Sequence, residues 1–233
     1  MIPNFYFNPL NLSNKDIIQG KHRQIVGGKW EEYGKLYLNI LKKYGLTSQK
    51  KVLDIGCGCF RGGIELIKYL DPFNYYGIEV NKELIEIGLN YEIPNYNLQN
   101  KVGKKNFLIT NNFNLEDFNV KFDMAIAQSI FTHLPLNYLF YFLVKVSKFF
   151  VENSKLIISF WICPEDKNII DPIIYNFDDG ELKTQHLKPH FHYKLSQIIN
   201  LISHPDISIN WNYKILNDIH PRQQKFILFT KKI

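Results

Sequence analysis

The residues of this 233-residue chain whose types and spacing could do chemistry fall in two places. The first is Val52–Gly63, VLDIGCGCFRGG, an apolar strand that stops at Gly56 and Gly58 and runs into the amphipathic IELIKYL. Such a turn lets the backbone approach a ligand closely, and a helix starting just after it aims N–H groups at whatever is bound. No Gly-Lys-Ser/Thr follows, so a triphosphate is disfavoured. A dinucleotide loop would place its third glycine at Arg61, where a long side chain stands; a dinucleotide is disfavoured without being excluded. Asp54, inside the turn, would repel a phosphate and welcome an amino group, and Glu79, ending the next strand YYGIEV, suits ribose hydroxyls.

The second place is a set of late histidines. His133 follows the strand FDMAIAQ, His190 and His192 precede a helix, and His220 stands with Arg222 between the last two strands. Histidine is the side chain best able to accept a hydroxyl proton near neutral pH, and Arg222 suits a bidentate phosphate or carboxylate contact. A single histidine is more often structural, and His133 could cap a helix beginning near Pro135. Several converging on one edge with Trp161 favour a polar, anionic ligand.

The elements that must position these groups alternate. KWEEYGKLYLNILKKYG carries Trp30, Tyr33, Leu36, Ile40 and Tyr44 at helical spacing and Gly45 as a C-cap signal. A strand at 51–56, a helix to Leu70, the breaker Asp71-Pro72 and the strand YYGIEV follow. NKELIEIGL reads as a helix with Asn81 as N-cap, although Leu84 stands where a capping box needs Glu or Gln. NFLIT and FDMAIAQ are short apolar runs, and a helix is expected over about 137–152 before the strand KLIISFW. A polar insertion at 163–190 precedes the helix YKLSQIINLI, and ISINWNYKIL with QKFILFT reads as a hairpin across NDIHPR. Alternation of this kind predicts an α/β doubly wound sheet, mostly parallel and covered by helices on both faces. Ligands then sit outside the carboxyl ends of the strands.

Composition bounds the rest. With 45% hydrophobic residues the chain can bury one sizeable core, and a single domain over 1–233 is expected. No secretory leader and no apolar run of spanning length is visible, so a soluble cytoplasmic protein is expected. Cys57, Cys59 and Cys163 can form neither a disulfide framework nor a structural zinc site. A net charge of +6 and a pI near 9.0 fit an anionic small molecule or a solvated surface, and the scattered lysines, KVGKK at 101–105 being the densest, are weak evidence for nucleic acid.

The carboxylate pair beside the turn suits S-adenosylmethionine (SAM). VLDIGCG, YYGIEV and FDMAIAQS resemble the first, second and fourth motifs of class I SAM-dependent methyltransferases. HRQIVGGKWEEYG, GCGCFRGG, YLDPFNYYGIEVN, QSIFTHLP, HFHY and HPRQQKFILF extend the resemblance to a bacterial subgroup associated with surface-polysaccharide biosynthesis, from His22 to the C-terminus. The departures are Phe60 for the third glycine of the general loop, Glu79 where Asp is also common, and Gln223 where glycine is common. The resemblance implies a Rossmann-like fold of seven strands with the last antiparallel, residues 1–50 as an N-terminal helical cap, and 163–192 as an insertion covering the acceptor site. It implies SAM contacts by Trp30, Tyr33, Asp54, Gly56, Cys57, Gly58, Arg61, Glu79, Asn111, Asn112, Phe113, Gln128 and Ser129. Asp54 would orient the ammonium, Glu79 the ribose, Arg61 the carboxylate, and the segment 111–113 the adenine.

Residues after the fourth strand constrain the acceptor. Gln128-Ser129-Ile130-Phe131 is not the Asn/Asp-Pro-Pro-aromatic run of base N-methylation, Cys163 precedes its proline rather than following one, and Gln128 is neutral where metal-dependent enzymes place acidic ligands. No metal is indicated. His133 is expected as general base with His192 as challenger, and Phe131, Trp161, His190, Tyr193, His220 and Arg222 as acceptor-lining residues. The expected activity is O-methylation of a small anionic acceptor, such as a phosphorylated or nucleotide-linked sugar, or a phosphate or phosphoramidate oxygen, of capsule or lipopolysaccharide assembly; a homodimer is compatible with it. An RNA-directed methyltransferase would need a continuous basic face. A catalytically silent SAM-binding subunit would need exposed aromatics, for which Tyr6, Phe7 and NYLFYFLVKVSKFF are the candidates.

Overall fold

The computed structural model describes residues 8–233, and its contacts gather into two compact units divided after Ile126. Tyr6 and Phe7 lie outside the described residues.

The first unit begins with three helices, α1 (Asn14–Ile18), α2 (Lys21–Ile25) and α3 (Trp30–Lys43). The predicted stripe on α3 is the buried one, with Trp30, Tyr33, Tyr37, Ile40 and Leu41 inward, and Gly45 ends the helix at a φ of 98°. Then come β1 (Val52–Ile55), α4 (Gly63–Tyr69), β2 (Tyr75–Glu79) and α5 (Lys82–Ile87), which continues through a π-helical turn at Gly88–Glu92 into the short α6 (Ile93–Asn95). Asn81 caps α5 as expected, its side chain accepting from the Glu83 N–H at 3.0 Å. β3 (Phe107–Ile109) and β4 (Phe122–Ala127) complete a parallel ladder in the order β3-β2-β1-β4. β1 is buried along its whole length, Val52, Leu53 and Ile55 together with the carboxylate of Asp54, as befits a strand covered on both faces.

The second unit holds α7 (Leu136–Val146), β5 (Phe150–Cys163), β6 (Ile173–Phe177), β7 (Gly180–Thr184), β8 (His192–Lys194), α8 (Leu195–Ile202), α9 (Pro205–Ser208), β9 (Trp211–Ile215) and β10 (Lys225–Lys231). β10 runs antiparallel between β5 and β9, which is the predicted antiparallel end of an otherwise mostly parallel fold.

Two expectations about elements are corrected. The helix expected over 137–152 leaves α geometry at Val146, passes one 3₁₀ turn and becomes β5 at Phe150. Phe150 is buried edge-on against Trp211 at 5.4 Å, and such packing overrides the helical spacing of the run. That burial also takes up most of NYLFYFLVKVSKFF, leaving Tyr141 and Val144 as its exposed large side chains. The strand expected over ISINWNYKIL begins only at Trp211, Ile207 and Ser208 lying in α9; within the insertion, Ile173–Phe177 and Gly180–Thr184 pair as an antiparallel hairpin. Among the described residues, no helix is long and apolar enough to cross a membrane.

Candidate active site

The glycine turn of the first unit is closed upon itself. Gly56 and Gly58 sit at φ values of 72° and 54°, conformations that favour glycine, and carry the chain back across β2. The N–H groups of Gly56 and Cys57 both go to the Ile78 carbonyl, at 2.8 and 3.1 Å, and that of Gly58 goes to Glu79 Oε2 at 3.0 Å. The first three donors of the turn are therefore spent within the protein.

What the turn presents instead is carboxylate. Asp54 is 1% exposed; Oδ2 accepts from the Tyr75 hydroxyl at 2.7 Å, while Oδ1 is buried without a hydrogen-bond partner. Burial pushes its pKa up to about 7, and the Glu79 charge adds to the rise, against the Tyr75 hydrogen bond and the Arg61 charge. Asp54 lies in β1, just before the turn and not inside it. Glu79 Oε1 accepts from the N–H groups of Val80 and Asn81 at 2.8 and 3.1 Å. With Gly58 that makes three bonds to a group with about four lone-pair sites. Burial raises the Glu79 pKa and these three N–H groups oppose the rise.

The side chain of Cys57 points away into the sheet. A Cβ added to Gly77 would lie 2.7 Å from its Sγ, so only the Cys57 backbone takes part in the turn, and burial holds the thiol protonated. The close helix–strand approach that a third glycine would allow is provided by Gly63, where a Cβ would fall 2.3 Å from the Tyr75 hydroxyl. Phe60, at a φ of 75°, keeps its strained backbone because its ring is buried and stacks on Phe107 at 4.4 Å.

Arg61, expected to hold the SAM carboxylate, stacks over Tyr33 at 4.1 Å and donates to the Gly28 carbonyl at 3.2 Å. Trp30 faces elsewhere: its Nε1 donates to the Tyr96 hydroxyl at 3.2 Å and Arg23 lies over its ring. What fastens this segment is a set of residues to which no role was assigned from the sequence. Glu92, fully buried, accepts from Arg23 Nε and Nη2 at 2.7 and 2.8 Å and contacts His22 Nε2 at 2.5 Å. His22 and Arg23 stand in the HRQIVGG stretch; the partner Glu92 is supplied by the π-helical turn, which the 3.6-residue spacing does not reveal.

Asn111 and Asn112 line a cavity of about 410 Å³ with Val80, Thr110, Asn114 and Asp117. Phe113 is buried beside it in sequence, at a φ of 54°. Asn112 also bonds its own turn, its Oδ1 accepting from Thr110 Oγ1 and the Asn114 N–H, each at 3.0 Å.

In the second unit a polar network ties the end of the fourth strand to the last turn. His220 Nδ1 accepts from the Arg222 N–H at 3.0 Å, so its Nε2 carries the proton and donates to Gln128 at 2.9 Å. The Gln128 amide must then turn Oε1 toward His220 and toward the Ser129 hydroxyl. Ser129 Oγ accepts from Gln224 Nε2 at 2.8 Å, Gln224 Oε1 accepts from Ser159 Oγ at 2.6 Å, and Ser159 Oγ accepts from the Ser129 N–H at 2.8 Å. Gln128, Ser129 and His220 are thus joined to one another by these bonds, with Ser129 at a φ of 60°.

The histidines and aromatics part ways. His192 is 0% exposed; its Nε2 donates to the Ile169 carbonyl at 2.8 Å and its Nδ1 meets Thr184 Oγ1 at 2.8 Å. Both nitrogens are occupied, so the geometry removes His192 from the base role. Tyr193 donates its hydroxyl to the Leu134 carbonyl at 3.0 Å, Phe131 is buried between Phe142 and Phe160, and Trp161 is buried against Tyr175 at 4.4 Å. These three, expected to line the acceptor site, are interior packing. His133 and His190 come together, their rings edge to face at 4.6 Å, and both keep part of their surface accessible. Burial, then the neighbouring His190, pushes the His133 pKa down to about 3; burial and the Arg222 charge lower that of His190. Among the described residues, no group of His, Cys, Asp or Glu could hold a metal ion.

No protein-family model matches the chain. Its structure is similar to that of the magnesium protoporphyrin IX methyltransferase of Synechocystis PCC 6803 with bound SAM, at a TM-score of 0.57 and 13% identity, covering 97% of this chain and 86% of that one. It is also similar to a SAM-dependent methyltransferase from Clostridium acetobutylicum ATCC 824, at 0.61 and 12%, covering 95% and 99%. A third similar structure is Streptomyces venezuelae DesVI, at 0.60 and 11%, covering 94% and 98%. The likeness is one of fold: the protein has the Rossmann-like fold of SAM-dependent methyltransferases.

Proposed function

We propose that the protein is a SAM-dependent O-methyltransferase acting on a small anionic acceptor, phosphorylated or nucleotide-linked. The observation that carries the cofactor assignment is the buried, unpartnered Asp54 Oδ1 beside a glycine turn whose leading N–H groups are already spent. Such a site is hostile to a polyphosphate and suited to a ligand bearing a cation and hydroxyls. SAM, when bound, supplies a methyl group made electrophilic by its sulfonium.

In this reading Asp54 Oδ1 holds the ammonium, the capacity left on Glu79 Oε2 takes a ribose hydroxyl, and the cavity at Val80, Asn111 and Asn112 takes the adenine. His133 accepts the acceptor's hydroxyl proton as the new O–C bond forms and the electron pair of the broken S–C bond stays on sulfur. A ring with a pKa near 3 is a weak base, so the reaction needs an anion beside it to raise that value. In this reading Arg222 and His190 bring one there, a role supported by the contact of His190 with His133 and by the Arg222 charge that lowers the His190 pKa. The capsule or lipopolysaccharide context rests on the sequence resemblance alone. Cys57, Cys59 and Cys163 are buried free thiols, which suits the proposed cytoplasmic setting.

The test is a methyl-transfer assay with purified protein, SAM and a panel of sugar phosphates and nucleotide sugars, read by mass spectrometry. A methylated product formed by the wild type and lost in His133→Ala, with S-adenosylhomocysteine (SAH) binding retained, supports the assignment. Equal turnover in the two proteins removes His133.

A further inference from the structure

Arg222 is held by the tip of the insertion hairpin. Its guanidinium lies over Phe177, 4.7 Å from the ring centroid, and its Nη2 donates to Asp179 Oδ2 at 2.5 Å. Asp178 and Asp179 form the two-residue turn between Phe177 and Gly180. The base of the hairpin is fastened separately, by the Trp161–Tyr175 stack and the Thr184–His192 contact. The cation is the more enclosed partner: the side chain of Arg222 is 18% exposed and that of Asp179 is 40%. The ring of His190 meets that of His133 edge to face at 4.6 Å, and its pKa is lowered by burial and by the Arg222 charge.

A guanidinium covered by a ring and neutralised by a carboxylate on an exposed turn is a matched oxyanion site with an internal occupant. Ion pairs between partly exposed groups are weak, whereas a phosphate offers a guanidinium more charge and more acceptor oxygens than a carboxylate does. We propose that Asp179 is a displaceable latch: a phosphate-class oxyanion replaces its carboxylate on Arg222, and the hairpin tip is released as the ligand binds. This deepens the function proposed above and rests on it only in naming that ligand the methyl acceptor. It makes Asp179 a specificity-determining residue, because a ligand without the oxyanion leaves the latch closed.

Inorganic phosphate is the probe, titrated calorimetrically into the full chain. Asp179→Asn is expected to bind phosphate about fivefold more tightly than the wild type, the gain from removing one weak competing ion pair, and Arg222→Gln to bind it at least about tenfold more weakly. Asp178→Asn removes the same charge from the neighbouring position and is expected to stay within about twofold of the wild type. Phosphate is further expected to speed tryptic cleavage after Lys183 in the wild type, and Asp179→Asn to be cleaved fast without it. An Asp179→Asn affinity equal to or weaker than that of the wild type, or an equal gain in Asp178→Asn, overturns the proposal. SAH affinity in the same proteins separates the two levels: retained SAH binding with no phosphate effect sinks the latch alone. Failure of the wild type to bind SAH sinks the methyltransferase assignment, while the phosphate comparison still decides the latch.

Discussion

Gly58 donates its backbone N–H to Glu79 Oε2 at 3.0 Å, so the turn that follows β1 is locked by the carboxylate that ends β2. Turn geometry and the proposed ribose contact are therefore one device. Glu79→Gln is expected to weaken SAH binding at least about tenfold and to lower unfolding free energy by about 1–2 kcal/mol, since an amide offers one acceptor oxygen where three N–H groups converge. Calorimetry and urea unfolding read the two effects; undiminished SAH affinity would remove Glu79 from the ligand site.

Asp54 predicts a pH dependence with a definite sign. Its folded pKa, pushed up to about 7 from 3.8, is raised, so its contribution to stability is complete below about pH 4 and is lost as pH rises toward 7. The loss is on the order of 4 kcal/mol, and Asp54→Asn should flatten it in urea titrations across that range. A cationic ligand favours the ionised form, so SAM affinity should rise with pH up to about 7 and then level off. A pH-independent affinity with an unchanged stability slope in Asp54→Asn would contradict this.

The two candidate bases should separate in opposite directions. His192→Ala strands Thr184 and the Ile169 carbonyl in the interior and is expected to cost about 2–4 kcal/mol of stability. His133→Ala is expected to stay within about 1 kcal/mol of the wild type and to lose turnover instead. Thermal unfolding together with the methyl-transfer assay distinguishes them, and a stable His192→Ala protein would show that the ring is not held as described.

Gly63→Ala tests the packing behind the site. The new Cβ would press on the Tyr75 hydroxyl, the donor to Asp54, and is expected to cost about 1–3 kcal/mol. The same variant should weaken SAH binding by disturbing Asp54. A Gly63→Ala protein as stable as the wild type would mean that α4 shifts to make room.

Most elements were legible because their signals are local. The apolar residues of β1, the stripe on α3 and the Asn81 cap each act within one element, and the structure keeps them. The end of α7 was not legible, because Phe150 is drawn into β5 by Trp211, a partner far along the chain. The β6–β7 hairpin did leave a signal in Asp178-Asp179-Gly180 between alternating apolar residues, and a two-residue turn of that kind marks a hairpin. In the candidate site, Glu79 was legible from its place at a strand end, whereas Asp54, read inside the turn, lies within β1. The sorting of histidines was not, since whether a ring nitrogen is spent depends on groups such as the Ile169 carbonyl and the Thr184 hydroxyl, which no side-chain pattern announces.

Isothermal titration of the purified protein with SAH, with NAD as control, tests the central claim most directly. The account predicts micromolar SAH binding that is lost in Glu79→Ala, with NAD silent. A folded protein that binds NAD and not SAH, or binds neither, would contradict it.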